Sequence, residues 1–321
     1  MDLGSNIHWG IGAGVSVAIW QQTMYEKKVP ENIDAFRELL QEYGKVPPEE
    51  VESHLTEIPY TNQPQNRKIC RSYFVSWTLT DAGPLRKRDR AWQVHRYPCI
   101  GRWSFTRIDV TLRDPRYKEA VKRLTAPDSR DALLDLGCCF GQNIRQLVRD
   151  GVEPSRLYGT DLHDEFLELG FDLFRDRESL TEGGATFVAG DMLDPDDPDL
   201  VRFDGKITII HACNFFHLFA WEQQVVIGKR VVRFLKPETK DALLFGWHIG
   251  SLKPGPERTM ALGERHLHNE ESFQKLWDEI GEKTETKWRV ESQVISKMPP
   301  GLKGFDDNAR IMRYGVYQLP L

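Results

Sequence analysis

The sequence predicts a doubly wound α/β fold, and three observations carry that expectation. From about residue 130, short apolar runs alternate with amphipathic stretches of helical spacing. The runs are continuously apolar, as strands buried on both faces of a parallel sheet are. The chain, at 321 residues, is long enough for one large domain, or for one domain with an accessory segment.

The elements follow in order. Residues 31–57 read as helical, with Ile33, Phe36, Leu39 and Leu40 at helical spacing; Pro47-Pro48 interrupts the run before residues 49–55 resume it. Residues 132–136 form a first apolar strand, and residues 140–150 a helix with Ile144, Leu147 and Val148 on one face. Residues 157–160 are a second strand, followed by a helix carrying Phe166, Leu167, Gly170, Leu173 and Phe174. Residues 186–189 and 207–213 read as strands three and four. A helix over residues 221–235 leads to a fifth strand, residues 242–247. There is no internal repeat.

Composition narrows the function classes. With 43 basic and 48 acidic residues the net charge is −5, which gives no long-range pull towards nucleic acid or anionic lipid. The five cysteines (Cys70, Cys99, Cys138, Cys139 and Cys213) form neither a CxxC pair nor a Cys/His ladder. A reducing compartment, the cytoplasm, is the simplest setting. Residues 7–20 carry no charge, but fourteen residues with three glycines are too few to span a bilayer, which needs about 20. The glycines at 10, 12 and 14 follow no strand, so a flexible N-terminus over residues 1–30 is expected rather than a phosphate loop. The basic run Arg86-Lys87-Arg88 reads as a solvated loop face. The Asp- and Pro-rich residues 194–199 read as a turn, without the glycine and terminal glutamate of a calcium loop. No metal site is expected.

In doubly wound sheets, ligands bind beyond the carboxyl ends of the strands, where strand order reverses. After strand one comes Asp135-Leu-Gly-Cys-Cys-Phe-Gly141, in which Gly137 and Gly141 let the backbone turn sharply beside a ligand, before opening into a helix N-terminus. Asp161, at the end of strand two, is placed to accept from two ribose hydroxyls. Asp191 and Met192, after strand three, offer an acceptor for an exocyclic amine and a thioether for a ring face. His211 lies near the end of strand four and borders the same cleft. A dinucleotide would prefer G-x-G-x-x-G; the G-C-C-F-G loop suits a smaller zwitterionic nucleoside, S-adenosylmethionine.

Residues 134–142 (LDLGCCFGQ), 157–162 (LYGTDL) and 190–192 (GDM) resemble the cofactor motifs of class I methyltransferases. The double cysteine narrows the resemblance to methyltransferases of fungal meroterpenoid gene clusters, the group of the austinol and terretonin pathways. Residues 43–48 (YGKVPP), 97–102 (YPCIGR), 215–219 (FFHLF) and 268–273 (HNEESF) are similar to that group as well, so the resemblance covers residues 31–58 and 90–295. It implies a Rossmann-like seven-stranded methyltransferase sheet over residues 90–321 with a helical lid over residues 31–58. It also implies methylation of a carboxyl oxygen on a prenylated polyketide, a homodimer, no metal, and S-adenosylmethionine as cofactor. On matching positions Gly137, Cys138, Gly141, Asp161, Leu162, Asp191, Met192 and His211 are expected to bind it.

Residues 59–89 depart from the group's pattern, which runs almost directly from the lid into the Arg-Ala-Trp before Tyr97. Their length and composition read as a retained small intron, a segment expected to be poorly ordered.

A carboxylate, with a reference pKa of about 4, is already ionised and needs no general base. Catalysis then rests on alignment in a site that sheds water, with Arg102, His217 or Trp247 orienting the acid. A phenol, with a pKa of about 10, would instead call for a base such as His211 or His217. His217 reads equally as a packed core histidine. Trp103, Phe105, Phe215, Phe216 and Phe219 read equally as a terpenoid pocket or as core. Cys138 and Cys139 read as small loop residues. An NAD-dependent oxidoreductase and a silent methyltransferase-like scaffold binding a partner protein are the other classes the pattern admits.

Overall fold

The structure, a computed structural model, describes residues 24–56, 87–237, 239–259, 263–297 and 307–321. The first part of the expected flexible N-terminus and nearly all of the expected insertion lie outside the described residues.

Among the described residues, seven strands form one sheet: β1 (Leu133–Leu136), β2 (Leu157–Asp161), β3 (Thr186–Ala189), β4 (Ile209–His211), β5 (Leu243–Ser251), β8 (Lys287–Lys297) and β9 (Ala309–Leu319), in the order β3-β2-β1-β4-β5-β9-β8. The first five are parallel, whereas β9 runs antiparallel to β5 and β8 antiparallel to β9. A hairpin, β6 (Gly255–Thr259) and β7 (Gly263–Leu267), projects after β5. The five parallel strands lie where the sequence places them. β5 runs four residues further than expected, because its second half, Trp247 to Ser251, pairs with β9 rather than with β4.

Strand order reverses between β1 and β4, so a cleft opens there at their carboxyl ends. Side chains alternate across each strand. Leu134, Leu136, Ile210 and Leu244 point to one face, under α10 (Trp221–Phe234) and α11 (Glu270–Thr284). Leu133, Leu157, Ile209, Leu243 and Phe245 point to the other, under α6 (Pro115–Thr125) and α7 (Gln142–Arg149). Local signals set the helix starts. Asp114 accepts the Arg116 N–H at 3.0 Å with Pro115 at the first helical position, and Asn269 accepts the Ser272 N–H at 2.9 Å.

The N-terminal helical layer begins with α1 (Asp34–Glu42) and α2 (Val51–Thr56). It continues beyond residue 86 through α3 (Lys87–Val94), α4 (Pro98–Gly101) and α5 (Ile108–Leu112). One apolar cluster joins Phe36, Leu39 and Leu40 to Ile100, Trp103 and Phe105. The same cluster takes in Phe140 of the β1 loop and Phe166, Leu169 and Leu173 of α8 (Asp164–Phe174). Trp103 and Phe105, left open between pocket and core, are therefore core residues, at 0 % and 6 % exposure. Buried Arg88 belongs to this layer too: it stacks on Tyr25 and Trp103 and donates to the Gly101 carbonyl, so its basic run is not a solvated face at that residue.

Arg145 of α7 bolts this layer to the sheet. The guanidinium is buried and donates to both oxygens of Asp176, at 2.8 and 2.9 Å. It also donates to the Phe140 carbonyl at 2.8 Å. Tyr43, just after α1, donates to Asp176 Oδ2 at 2.8 Å. Removing one partner of a buried ion pair leaves the other charge without compensation, typically at a cost of about 3–5 kcal/mol. Arg145→Met is therefore expected to lower unfolding stability by about that much, read from the urea midpoint, with Tyr43→Phe costing about 1 kcal/mol. An unchanged midpoint for Arg145→Met would remove this pair from its structural role.

Candidate functional site

Between β1 and α7 the backbone turns left-handed three times, at Gly137 (φ +69°), Cys139 (φ +53°) and Gly141 (φ +63°). A Cβ at Gly137 would lie 2.7 Å from the Phe215 ring, and one at Gly141 2.5 Å from the Arg145 guanidinium. Both positions are thus closed to side chains by conformation and by space. Cys138 is buried between them, with its N–H on the Thr160 carbonyl at 2.9 Å. Its thiol, like that of Cys139, is pushed well above the usual range by burial and by nearby carboxylates. The reading of both as loop residues agrees with this.

Asp161 ends β2 and is locked by the loop it faces. Its Oδ2 accepts the Cys139 N–H at 2.9 Å and its Oδ1 the His163 N–H at 3.3 Å. Burial raises its pKa to about 6, against the pull of the Cys139, His163 and Leu162 backbone N–H groups. A carboxylate so fixed can accept two vicinal hydroxyls with its remaining lone pairs. Leu162 beside it is 49 % exposed, an apolar surface available to a base ring. The helical layer roofs this corner: His95 lies against Tyr97 (4.0 Å between ring centroids) and against His163 (5.1 Å). Burial and His163 push His95 down to about 4, so this ring is uncharged at neutral pH.

Asp191 is exposed after β3, with Oδ1 accepting the Leu193 N–H at 2.8 Å. Met192 differs from expectation. Its side chain is 5 % exposed and packs in the cluster with Leu200 and Phe203, so the thioether serves the core. His211 also differs. It is 2 % exposed, with Nδ1 2.7 Å from Asp135 Oδ1 and Nε2 3.1 Å from Cys213 Sγ. Burial pulls its pKa down, but Cys213 and Asp135 outweigh this and hold it well above 6.5. Both ring nitrogens are engaged, Nδ1 by Asp135 and Nε2 by Cys213, so His211 presents no open nitrogen to the cleft.

The three residues expected to orient an acceptor are not gathered together. Arg102 follows α4 and pairs with Glu26 at 3.0 Å. Trp247 lies in β5 on the same face as Phe245 by strand alternation, half-buried, and its carbonyl accepts the Asn214 N–H at 2.8 Å. His217 is buried on the α10–α11 side, with Nδ1 unpartnered among the described residues. Burial, Arg265 and His248 together push it well below 6.5. Phe216 is core, whereas Phe215 and Phe219 are half-buried, 5.0 Å apart. The sequence reading missed Arg265 and His248 here, and Arg145 and Cys213 elsewhere. The H-A-C spacing at residues 211–213, which puts His211 and Cys213 on one strand face, was the available signal for Cys213. Among the described residues, no group of three or more His, Cys, Asp or Glu side chains is placed to hold a metal ion. No helix among them is long and apolar enough to cross a membrane.

A glycine-lined loop facing an acid at the end of β2, on a 3-2-1-4-5 parallel sheet closed by an antiparallel pair, defines a class I methyltransferase. Residues 133–238 match a methyltransferase domain family, and residues 85–106 match the meroterpenoid methyltransferase N-terminal domain. The chain is 35 % identical to the O-methyltransferase phiE of Fungal sp. (strain ATCC 74256) over 89 % of its own length and 84 % of that protein's. It is 35 % identical to the O-methyltransferase atr3 of Stereocaulon alpinum, over 90 % and 74 % of the two lengths. Its identity to the asnovolin E/chermesin D methyltransferase nvfJ of Aspergillus novofumigatus (strain IBT 16806) is 32 %, over 79 % of each. The chain belongs to the meroterpenoid methyltransferase family, and its methyl donor is S-adenosylmethionine.

The fixed carboxylate of Asp161 and the closed glycine positions fit that cofactor. Asp161→Ala is expected to weaken S-adenosylhomocysteine binding by about 10- to 100-fold with the fold intact, since hydrogen bonds to a charged group contribute about 1.5–3 kcal/mol. Because the acid's pKa is about 6 and its ionised form is the acceptor, affinity should be flat above pH 7. Below pH 6 it should fall by about tenfold per unit. Calorimetric titration from pH 5 to 8 checks both; pH-independent binding to wild type would refute the ribose role.

Proposed function

We propose that the protein transfers methyl from S-adenosylmethionine to the carboxylate of a hydrophobic polyketide–terpenoid acid, forming a methyl ester in secondary metabolism, and that it works as a homodimer. The observation that carries this reading is the state of the cleft histidines. His211 is held between Asp135 and Cys213, and His217 and His248 are driven by burial to the neutral form, His248 to about 3. None is poised to take a proton from a phenol, whereas a carboxylic acid arrives already ionised. A relative whose name is that of a methyltransferase of asnovolin E and chermesin D supports the substrate class.

In this reading Gly137, Cys138, Gly141, Asp161, Leu162 and Asp191 hold the cofactor. Bound S-adenosylmethionine supplies an electrophilic methyl group. His217, neutral, offers a hydrogen bond that orients the acid without removing a proton. Trp247 and the half-buried Phe215 and Phe219 wall the apolar remainder and shed water, which leaves one carboxylate oxygen aligned for transfer. Arg102 contributes only if it leaves Glu26.

The test is turnover on a prenylated aromatic acid against its phenol counterpart, with methanol released from the product by alkaline hydrolysis. The acid is expected to be the substrate. His217→Ala should keep at least about a tenth of kcat/KM, because losing a general base costs about 10²–10⁴-fold. A fall beyond 100-fold with folding intact, or methylation of the phenol alone, would overturn the carboxylate reading. No turnover on any acceptor by protein that binds S-adenosylhomocysteine would favour a silent scaffold. Sedimentation velocity checks the dimer, with a monomer at micromolar concentration counting against it.

A further inference from the structure

Asp135 and His211 are register partners on the adjacent strands β1 and β4, and so share one face of the sheet. His211 lies two residues before Cys213, which places the thiol on that same face. The result is a continuous line: Asp135 Oδ1 to His211 Nδ1 at 2.7 Å, and His211 Nε2 to Cys213 Sγ at 3.1 Å. Asp135 and His211 are each 2 % exposed, whereas Cys213 is partly exposed at the mouth of the β1–β4 crevice. Asp135 Oδ2 is buried without a partner among the described residues, so this acid's hydrogen bonding is committed to the imidazole. A nucleophile, a ring and an acid orienting the ring in this order form the arrangement that activates thiols.

We propose that Cys213 is a nucleophilic thiol, oriented and deprotonated through His211 and Asp135, that adds to soft carbon electrophiles of the α,β-unsaturated carbonyl class and thereby closes the cofactor cleft. In the addition, the thiol proton passes to His211 Nε2 and the sulfur lone pair forms a C–S bond to the β-carbon. The C=C π pair moves into the enolate, and the imidazolium returns the proton to the α-carbon. Atoms and charge balance without an oxidant or a reductant.

The other described cysteines lack this arrangement. Burial and Asp161 push Cys99 up to about 12; burial with Asp135 and Asp161 raises Cys138, and burial with Cys99 and Asp161 raises Cys139. Around Cys213 the remaining groups are Thr111 of α5, with Oγ1 at 3.8 Å, and Tyr314 of β9, whose hydroxyl donates to the Ala212 carbonyl. Beyond Tyr314 lie Asp114 and Arg116, a mutual ion pair, and Arg313, 3.5 Å from Asp114. His211 is thus the one imidazole within hydrogen-bond reach of the sulfur among the described residues. Phe215, two residues on, packs against Gly137 of the glycine loop, which ties the thiol's surroundings to the cofactor loop.

N-ethylmaleimide at one equivalent, with peptide mapping by mass spectrometry over time, tests the proposal on the full chain. The Cys213 peptide should label faster than those of Cys99, Cys138 and Cys139. His211→Gln should slow that labelling by about tenfold or more at pH 7, and Asp135→Asn by less. Should either variant fail to fold, the labelling order of the wild-type cysteines and the protection of Cys213 by S-adenosylhomocysteine stand as the test. Saturating S-adenosylhomocysteine should protect Cys213, and the adduct should no longer bind it. Labelling of Cys213 no faster than that of the other cysteines, or an adduct that binds S-adenosylhomocysteine as before, would overturn the proposal.

Discussion

One buried charge, the guanidinium of Arg145, fixes the relation between the cofactor loop, the helix after β2 and the N-terminal layer. A cation at 1 % exposure survives only when its donors are satisfied. Here those partners are Asp176, which follows α8 by two residues, and the Phe140 carbonyl in the loop itself. Phe174 and Phe187 crowd its faces, at 4.8 and 5.4 Å from their ring centroids. The glycine at 141 is therefore required by the guanidinium as much as by the turn. The fork of donors also requires a planar carboxylate on its far side, and the Tyr43 hydroxyl then adds the third element. Shifting any one of these would move the loop that faces Asp161.

Below that constraint, the strand alternation sorts the chemistry. Trp247 and His248 are neighbours in β5 yet fall on opposite faces, the first with Phe245, the second with Phe273 and Tyr314. Asp135, His211 and Cys213 share the face of Trp247, and His217, His248 and His268 crowd the face of α10 and α11. The first group holds proton-bearing hydrogen bonds, whereas the second is a set of rings whose burial excludes charge. His268 shows how: burial, with His248 and His266 beside it, holds it well below 6.5. The two sides of the cleft thus differ in polarity although each contains histidine.

The parallel half of the fold was legible because its strands are continuous apolar runs separated by helices of clear period. The antiparallel half was not. β8 reads KWRVESQVISK, with charges spread along it, and β9 ARIMRYGVYQL, whose apolar residues are broken by Arg310, Arg313 and Gly315, so no continuous apolar run marks either. Their polarity follows from position, at and next to the sheet edge. The glycine loop and Asp161 were legible for the reason that each is a local signal at a strand end. Arg145 was not, because it acquires its role from Asp176, 31 residues away, and the line through His211 to Cys213 was not, because it starts at Asp135, 76 residues before His211. Met192 and His211 show the converse error: a strand-end position puts a residue near a cleft without deciding which way its side chain turns.

The helical layer is assembled from two stretches of chain, and α2 packs directly against α3 although residues 57–86 separate them in sequence. The two ends of that separation are consequently pinned side by side by the layer's own core. Whatever joins them must leave and re-enter the layer at neighbouring points, so the contact between α2 and α3, and not the number of residues between them, fixes how the two stretches of the layer meet.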